Sequence, residues 1–227
     1  MTDVIPAIIP NTFQTLKSEM EEVKELVPRV QVDIIDGSFA PEPTWPYNEG
    51  RETHRFAEIS DGKRGFPHWK YLQFEIDLMV TRPELVVDDW IATGASAIII
   101  HADSTEKHKQ IFQTLKSYGV EIGLALLPKN DTQLVDEFRE QVDFVQLMGN
   151  NKIGYHGVDL DPAVYRKLET LRKKYQELPL GVDIGVDFDT APQLTQAGAT
   201  RLVSGSAIFA SDDKQAAVAT LQSAGGR

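Results

Sequence analysis

Short apolar runs alternate with helical stripes from one end of the chain to the other. The runs are Val4–Ile9, Val30–Ile35, Tyr71–Met79, Ala97–His101, Glu121–Leu126, Phe144–Met148, Leu180–Asp183 and Thr200–Val203. Several are apolar almost without a break, as from Ala97 to Ile100 and from Ile122 to Leu127. A strand covered on both faces reads this way, because neither set of alternating side chains meets water. Parallel sheets flanked by helices are built from such strands.

The segments between the runs carry a different period. Phe13, Leu16, Met20, Val23 and Leu26 step by three or four residues and form one apolar stripe. Asn11 or Thr12 can cap that helix by accepting from an orphan N–H. Pro83 suits the first turn of a third helix that continues through Leu85, Val86 and Trp90. Asp161 followed by Pro162 is a start signal, and so is Asp189 or Thr190 ahead of Leu194. Gly198 stops that helix, and Ser211–Asp212 opens the last one. The tail from Ser223 to Arg227, rich in Ala and Gly, is expected to fray.

Strand–helix pairs repeated without a break in composition predict an α/β fold, a single (β/α)8 barrel domain over residues 1–227. An open doubly wound sheet gives a similar alternation and stays open at this point. Residues 40–70 fit least well, with Pro41, Pro43, Pro46, Pro67, Trp45, Tyr47 and Trp69 and only a weak helical pattern near Arg51–Ile59. They read as an enlarged loop, placed to act as a lid over the catalytic face. On that reading, deleting Pro43 to Pro67 harms ligand capture more than folding.

Composition narrows the functional classes. The 227 residues are 41% hydrophobic and 25% charged, as in an ordinary water-soluble globule. No apolar run approaches the roughly 20 residues needed to span a bilayer, and Met1 to Pro6 shows no secretory signal, so the cytoplasm is the expected compartment. The absence of cysteine excludes disulfides, thiolate metal sites and thiol nucleophiles. A net charge of −11 repels nucleic acid and anionic membranes. It also repels an anionic substrate at long range, so a phosphate would have to be gripped locally by backbone N–H groups and helix ends.

In a barrel the chemistry sits at the C-terminal ends of the strands. The polar residues falling there are Asp33 and Asp36, Asp77, His101 with Asp103, and Asp183, with Met148 ending the sixth strand. Glycines cluster where later strands end: Gly154 and Gly157, Gly185 before Val186, and Gly205 before Ser206. A glycine lets a ligand approach the backbone where a side chain would block it. Tight turns alone would also account for any one of them, as loop or helix capping would for a lone aspartate.

Four segments resemble the ribulose-phosphate 3-epimerase family. Val32-Asp33-Ile34-Ile35-Asp36-Gly37-Ser38-Phe39-Ala40-Pro41 resembles its "H-x-D-x-M-D-G-x-F-V-P" signature, and Asp77-Leu78-Met79-Val80 with Pro83 its "H-L-M-V-x-x-P" segment. Val182-Asp183-Ile184-Gly185-Val186 is similar to "V-D-G-G-[IV]", and Ala197-Gly198-Ala199 through Val203-Ser204-Gly205-Ser206-Ala207-Ile208-Phe209 to "A-G-A…V-x-G-S-A-I-F". The resemblance implies an isomerase that inverts C3 of ribulose 5-phosphate and xylulose 5-phosphate, members of the family often being oligomers. It implies Asp33 and Asp183 as the acid–base pair, one on each side of a planar enediolate. It further implies a phosphate site at Gly154, Gly157, Gly185, Val186, Gly205 and Ser206, and a pocket bordered by Met79 and Met148.

The departures fall on the metal. The family holds a divalent ion with two histidines and two aspartates, but here the histidine positions are Gln31 and Asp77. Ala7 replaces a serine near the end of the first strand, and Ile35 a methionine. Asp33, Asp77 and Asp183 with Gln31 would offer oxygen alone, which suits magnesium, manganese or calcium better than zinc. Without any cation three carboxylates repel one another and at least one is driven toward its protonated form. Losing about 4 kcal/mol of metal stabilisation would slow the reaction roughly a thousandfold. Two other outcomes therefore stay open: a barrel that binds a phosphorylated ligand without epimerising it, and a magnesium-dependent lyase or isomerase on a related sugar phosphate. The "D-x-K-x-x-D" motif of the hexulose-phosphate synthase relatives is absent from Asp33-Ile34-Ile35-Asp36. His101 is expected to pack or to support the site. His54 and His68 lie in the 40–70 segment, His108 on a helix face, and His156 beside the phosphate loops.

Overall fold

The computed structural model describes residues 2–48, 52–155 and 157–225. Its strands are β1 (Asp3–Ile8), β2 (Arg29–Ile35), β3 (Gln73–Met79), β4 (Ala97–His101), β5 (Glu121–Leu126), β6 (Phe144–Met148), β7 (Leu180–Asp183) and β8 (Arg201–Ser204). They close in sequence order into a barrel, and each registered neighbour pair is parallel. The open-sheet alternative falls here, since β8 returns to β1 with Asp3 opposite Arg201 and Pro6 opposite Ser204. Between the strands run α1 (Phe13–Val23), α2 (Thr53–Ser60), α3 (Val87–Ala92), α4 (His108–Ser117), α5 (Leu134–Phe138), α6 (Ala163–Lys174) and α7 (Ala191–Gln196); α8 (Ser206–Phe209) and α9 (Lys214–Ser223) follow β8. The chain divides into two compact units, Ala7–Ile122 and Met1–Pro6 with Gly123–Arg227.

Within Ala7–Ile122, β2 and β3 pair along their full length, from Arg29 opposite Gln73 to Ile35 opposite Met79. Arg29 donates to Glu121 at 2.9 Å, to Gln73 at 3.2 Å and to the fully buried Glu75 at 3.4 Å, so this buried carboxylate has a cation. α1 begins as expected: Thr12 Oγ1 accepts from the Thr15 N–H, and Phe13, Leu16, Met20 and Val23 face the core. The third helix is broken. A 3-10 turn, Pro83–Leu85, precedes α3, and Arg82 before it takes a left-handed φ of 58°. β3 starts at Gln73; Tyr71, assigned to the strand from its pattern, is an exposed turn residue.

The described residues of the enlarged 40–70 connection include α2 and several side chains packed into the core. Trp45 is fully buried between Phe13 and Phe56, at ring separations of 5.3 and 5.9 Å, and Phe56 lies 4.5 Å from Trp90. Phe66 stacks on Phe74 at 4.0 Å. The Trp45 N–H donates to Pro10 O, and the His68 ring meets Lys17 O and the Glu21 carboxylate. Removing Pro43 to Pro67 would strip Trp45, Ile59 and Phe66 from the core, so such a deletion is expected to cost folding as well as ligand capture. α2 runs from Thr53; Arg51, where its pattern was read to begin, lies outside the described residues.

In the second unit, Met148 lies opposite Asp183 across β6 and β7, and Asp183 opposite Val203 across β7 and β8. The Asp161 carboxylate accepts from the Ala163 N–H at 2.9 Å and so caps α6, with Pro162 at the junction. Asp187 does the same for α7 by accepting from Asp189 and Thr190. Gly198, at φ 115°, ends that turn with its carbonyl held by the Arg172 guanidinium. The last helix is capped one residue later than its pattern suggested, Asp213 accepting from Ala216 N–H. Ser223 closes α9; residues 226 and 227 of the tail lie outside the described residues.

Candidate active site

Side chains two residues apart on a strand share a face, so Gln31 and Asp33 point the same way, and register sets Asp77 beside Asp33. The Gln31 amide nitrogen donates to Asp33 Oδ1 at 2.8 Å, both groups buried. Asp77 Oδ1 lies 2.8 Å from His101 Nε2. His101 is buried, its other ring nitrogen has no hydrogen-bond partner among the described residues, and Phe39 meets the ring edge-on at 5.2 Å. Asp103 is exposed.

Asp36 belongs to the scaffold. One carboxylate oxygen accepts from Ser38 and Phe39 N–H, the other from Thr81 N–H, each at 2.8 Å, which ties the end of β2 to the end of β3. Thr44 escaped the sequence reading. Its buried hydroxyl accepts from Ile35 N–H at 2.9 Å and donates to Asp33 O at 3.1 Å, holding the backbone that carries Asp33. Only its β-branched polar character in a proline-rich stretch could have drawn attention to it. His54 is exposed, His68 is engaged by α1, and His108 is buried with its ring against His101 O at 3.2 Å.

In the second unit Asp183 ends β7, and Gln146 on β6 donates to its Oδ2 at 3.4 Å and approaches Met148 Sδ at 3.8 Å. Gln146 also escaped the sequence reading, since it sits in a strand otherwise apolar from Phe144 to Met148. After Asp183 the backbone turns through two left-handed residues, Ile184 at φ 79° and Gly185 at φ 71°. A β-branched residue with positive φ is strained and persists only where its surroundings impose it. Here the constraint is visible: a Cβ on Gly149 would lie 1.9 Å from Ile184 O, and one on Gly185 would lie 2.7 Å from Leu160 N. Glycine at 149 and 185 thus lets the segment after β6 seat on the turn after β7. Gly185 O accepts from Thr190 Oγ1 and Val186 O from Ser204 Oγ, both at 2.8 Å. Gly154 and Gly157 also have positive φ, 83° and 67°, and Gly157 has open space where a side chain would be. Gly205 precedes α8, whose first residue is the exposed Ser206. His156 lies outside the described residues.

Asp33, Asp77 and Asp183 are all buried, and in the first unit Asp33 and Asp77 stand opposite one another across β2 and β3. Met79 and Met148, at the ends of β3 and β6, are buried as well.

A closed parallel barrel carrying its acidic residues at the C-terminal ends of the strands defines a TIM-barrel protein. The sequence profile described as "Ribulose-phosphate 3 epimerase family" matches residues 3–209, and the chain belongs to that family. Ribulose-phosphate 3-epimerase of Schizosaccharomyces pombe is 28% identical over 221 residues, spanning 96% of this chain and 92% of its relative. That of Bacillus subtilis is 27% identical over 98% and 99% of the two chains, and that of Escherichia coli K12 is 30% identical over 66% and 68%. Among solved structures, a 3-hexulose-6-phosphate synthase superimposes with a TM-score of 0.66 at 19% identity, covering 99% of each chain. KGPDC from Streptococcus mutans gives 0.71 at 11% identity, covering 98% of this chain and 96% of its own. At such identities these two likenesses speak for the fold alone.

Proposed function

We propose that this chain is a ketose-phosphate 3-epimerase that interconverts ribulose 5-phosphate and xylulose 5-phosphate. The observation that carries this is a buried aspartate at each of the two acid–base positions of the family's motifs, Asp33 on β2 and Asp183 at the end of β7, in a chain of this family. One aspartate takes the C3 proton, leaving a planar enediolate, and the other returns a proton to the opposite face. Exclusion of water keeps the abstracted proton on its carboxylate and protects the enediolate. Gly154, Gly157, Gly185, Val186, Gly205 and Ser206 hold the phosphate, with the left-handed turn after Asp183 supporting that role. Met79 and Met148 border the sugar. The chain works as one domain, a reading that the closed strand order supports. No helix among the described residues is long and apolar enough to cross a membrane, which is compatible with a cytoplasmic enzyme.

The residues fit a divalent metal, though one of a different kind. The candidate ligands Asp33, Asp77 and Asp183 offer hard oxygen donors, and the Gln31 amide nitrogen is already directed at Asp33, leaving only its oxygen as a donor atom. Asp33, Asp77 and Asp183 would suit magnesium or manganese, the cations that carboxylate oxygens serve, and would lack the imidazoles that favour zinc. Such an ion would supply positive charge to the enediolate oxygens.

The test is loss of the C3 proton of ribulose 5-phosphate in deuterated water with magnesium or manganese present. Exchange that disappears in both Asp33→Asn and Asp183→Asn supports the assignment. The replacement of both histidines favours a second reading, a barrel that binds a phosphorylated ligand without epimerising it. Tight binding of ribulose 5-phosphate with no exchange under any divalent cation would establish that reading instead.

A further inference from the structure

We infer that Gln31 and Gln146 are positioning residues, each holding one of the two acid–base aspartates by a side-chain amide. The inference rests on the epimerase assignment above and deepens it.

Both glutamines are fully buried, in strands whose barrel-facing positions are ordinarily filled by branched apolar side chains. Burying an amide costs free energy unless its polar atoms are matched, so neither residue is explained by packing. What the two amides share is their target. Gln31 reaches two residues along β2 to Asp33 Oδ1 at 2.8 Å, and Gln146 reaches from β6 to Asp183 Oδ2 at 3.4 Å. The two grips are built within different units of the chain and from different strand relationships, yet they converge on one device. Each engages one carboxylate oxygen and so restricts rotation of the group.

An amide suits this task for a chemical reason. Each aspartate must alternate between carboxylate and carboxylic acid in a catalytic cycle. A lysine or arginine would oppose protonation, and a histidine would compete for the proton. An amide neither gains nor loses a proton at equilibrium near neutral pH, and its N–H donates to an oxygen of either form. Orientation is therefore retained through both proton transfers, which in-line transfer to C3 demands.

The experiment compares wild type with Gln31→Leu and Gln146→Leu, using Gln31→Met or Gln146→Met where a leucine variant does not fold. C3-deuterated ribulose 5-phosphate and C3-deuterated xylulose 5-phosphate are each turned over, and kcat, KM and the primary isotope effect are read in both directions. Loss of a hydrogen bond to a charged group predicts kcat lower by roughly tenfold to a hundredfold, with KM little changed. The specific signature lies in the isotope effects. When the Asp33 step is slowed, the effect grows for the epimer that yields its proton to Asp33 and shrinks for the other. The Gln146 variant gives the reverse pattern. Variants that lose activity with no opposed shift, or through KM, overturn the inference while leaving the epimerase assignment intact. A wild-type protein inert toward both sugars with every divalent cation overturns the assignment, and the inference with it.

Discussion

Asp77 and His101 are joined at 2.8 Å, one carboxylate oxygen to one ring nitrogen, and neither side chain is more than 1% exposed. The pair lies where the family resemblance expects a histidine on β3, and here the imidazole comes from β4 instead. Breaking a buried pair by removing one partner leaves the other's desolvation uncompensated and costs about 3–5 kcal/mol, whereas replacing both with apolar groups costs far less. His101→Leu is therefore expected to be less stable than the double variant with Asp77→Leu. Urea unfolding of the two singles and the double measures the coupling, and simple additivity would contradict it.

The all-oxygen donor set makes a prediction about metal choice. Wild type is expected to hold zinc with little advantage over manganese in competitive dialysis followed by elemental analysis. Gln31→His with Asp77→His returns two imidazoles to the centre and should widen zinc's advantage severalfold or more, because nitrogen donors suit zinc. Unchanged selectivity in the double variant would place any bound ion elsewhere.

Ile184 follows Asp183 with a φ of 79°. At most sites alanine is better tolerated than glycine, since glycine loses more chain entropy on folding. Here the order should invert: left-handed backbone costs an L-residue about 1–2 kcal/mol, which only glycine escapes. Ile184→Gly is expected to be more stable than Ile184→Ala by about 1 kcal/mol in denaturant unfolding, on the same scale.

Trp45 is the pin of the connection between β2 and β3. Trp45→Ala should cost about 3–5 kcal/mol, as large aromatic deletions in cores do. A mobile lid would tolerate the change with little loss of thermal stability, so a melting curve decides between a packed connection and a lid.

Glu19, on α1, is half-buried and lies near Glu22; burial first and that neighbour second push its carboxyl up from 4.5 to about 7. The folded state therefore binds a proton more tightly than the unfolded chain. Its contribution is fully present below about pH 4.5 and is lost as pH rises toward 7. Glu19→Gln should raise the melting temperature at pH 8 relative to wild type and have little effect at pH 4. Equal shifts at both pH values would exclude this titration.

What could be read from the chain alone was whatever local order encodes. Ala97–His101 and Phe144–Met148 were legible because strands buried on both faces are apolar throughout, and Thr12 and Asp161 because capping acts over two or three residues. The placement of Asp33 on β2 and of Asp183 at the end of β7 was legible through motif resemblance, since both stand within recognisable frames. Tertiary structure alone decided the rest. Whether the sheet closes depends on β8 meeting β1, a pairing no local period encodes. Trp45 was read as loop because prolines break its neighbourhood, yet aromatic partners distant in sequence bury it. Gln146 drew no attention in an otherwise apolar strand. Its carboxylate partner lies 37 residues away, and only the β6–β7 register brings the two together.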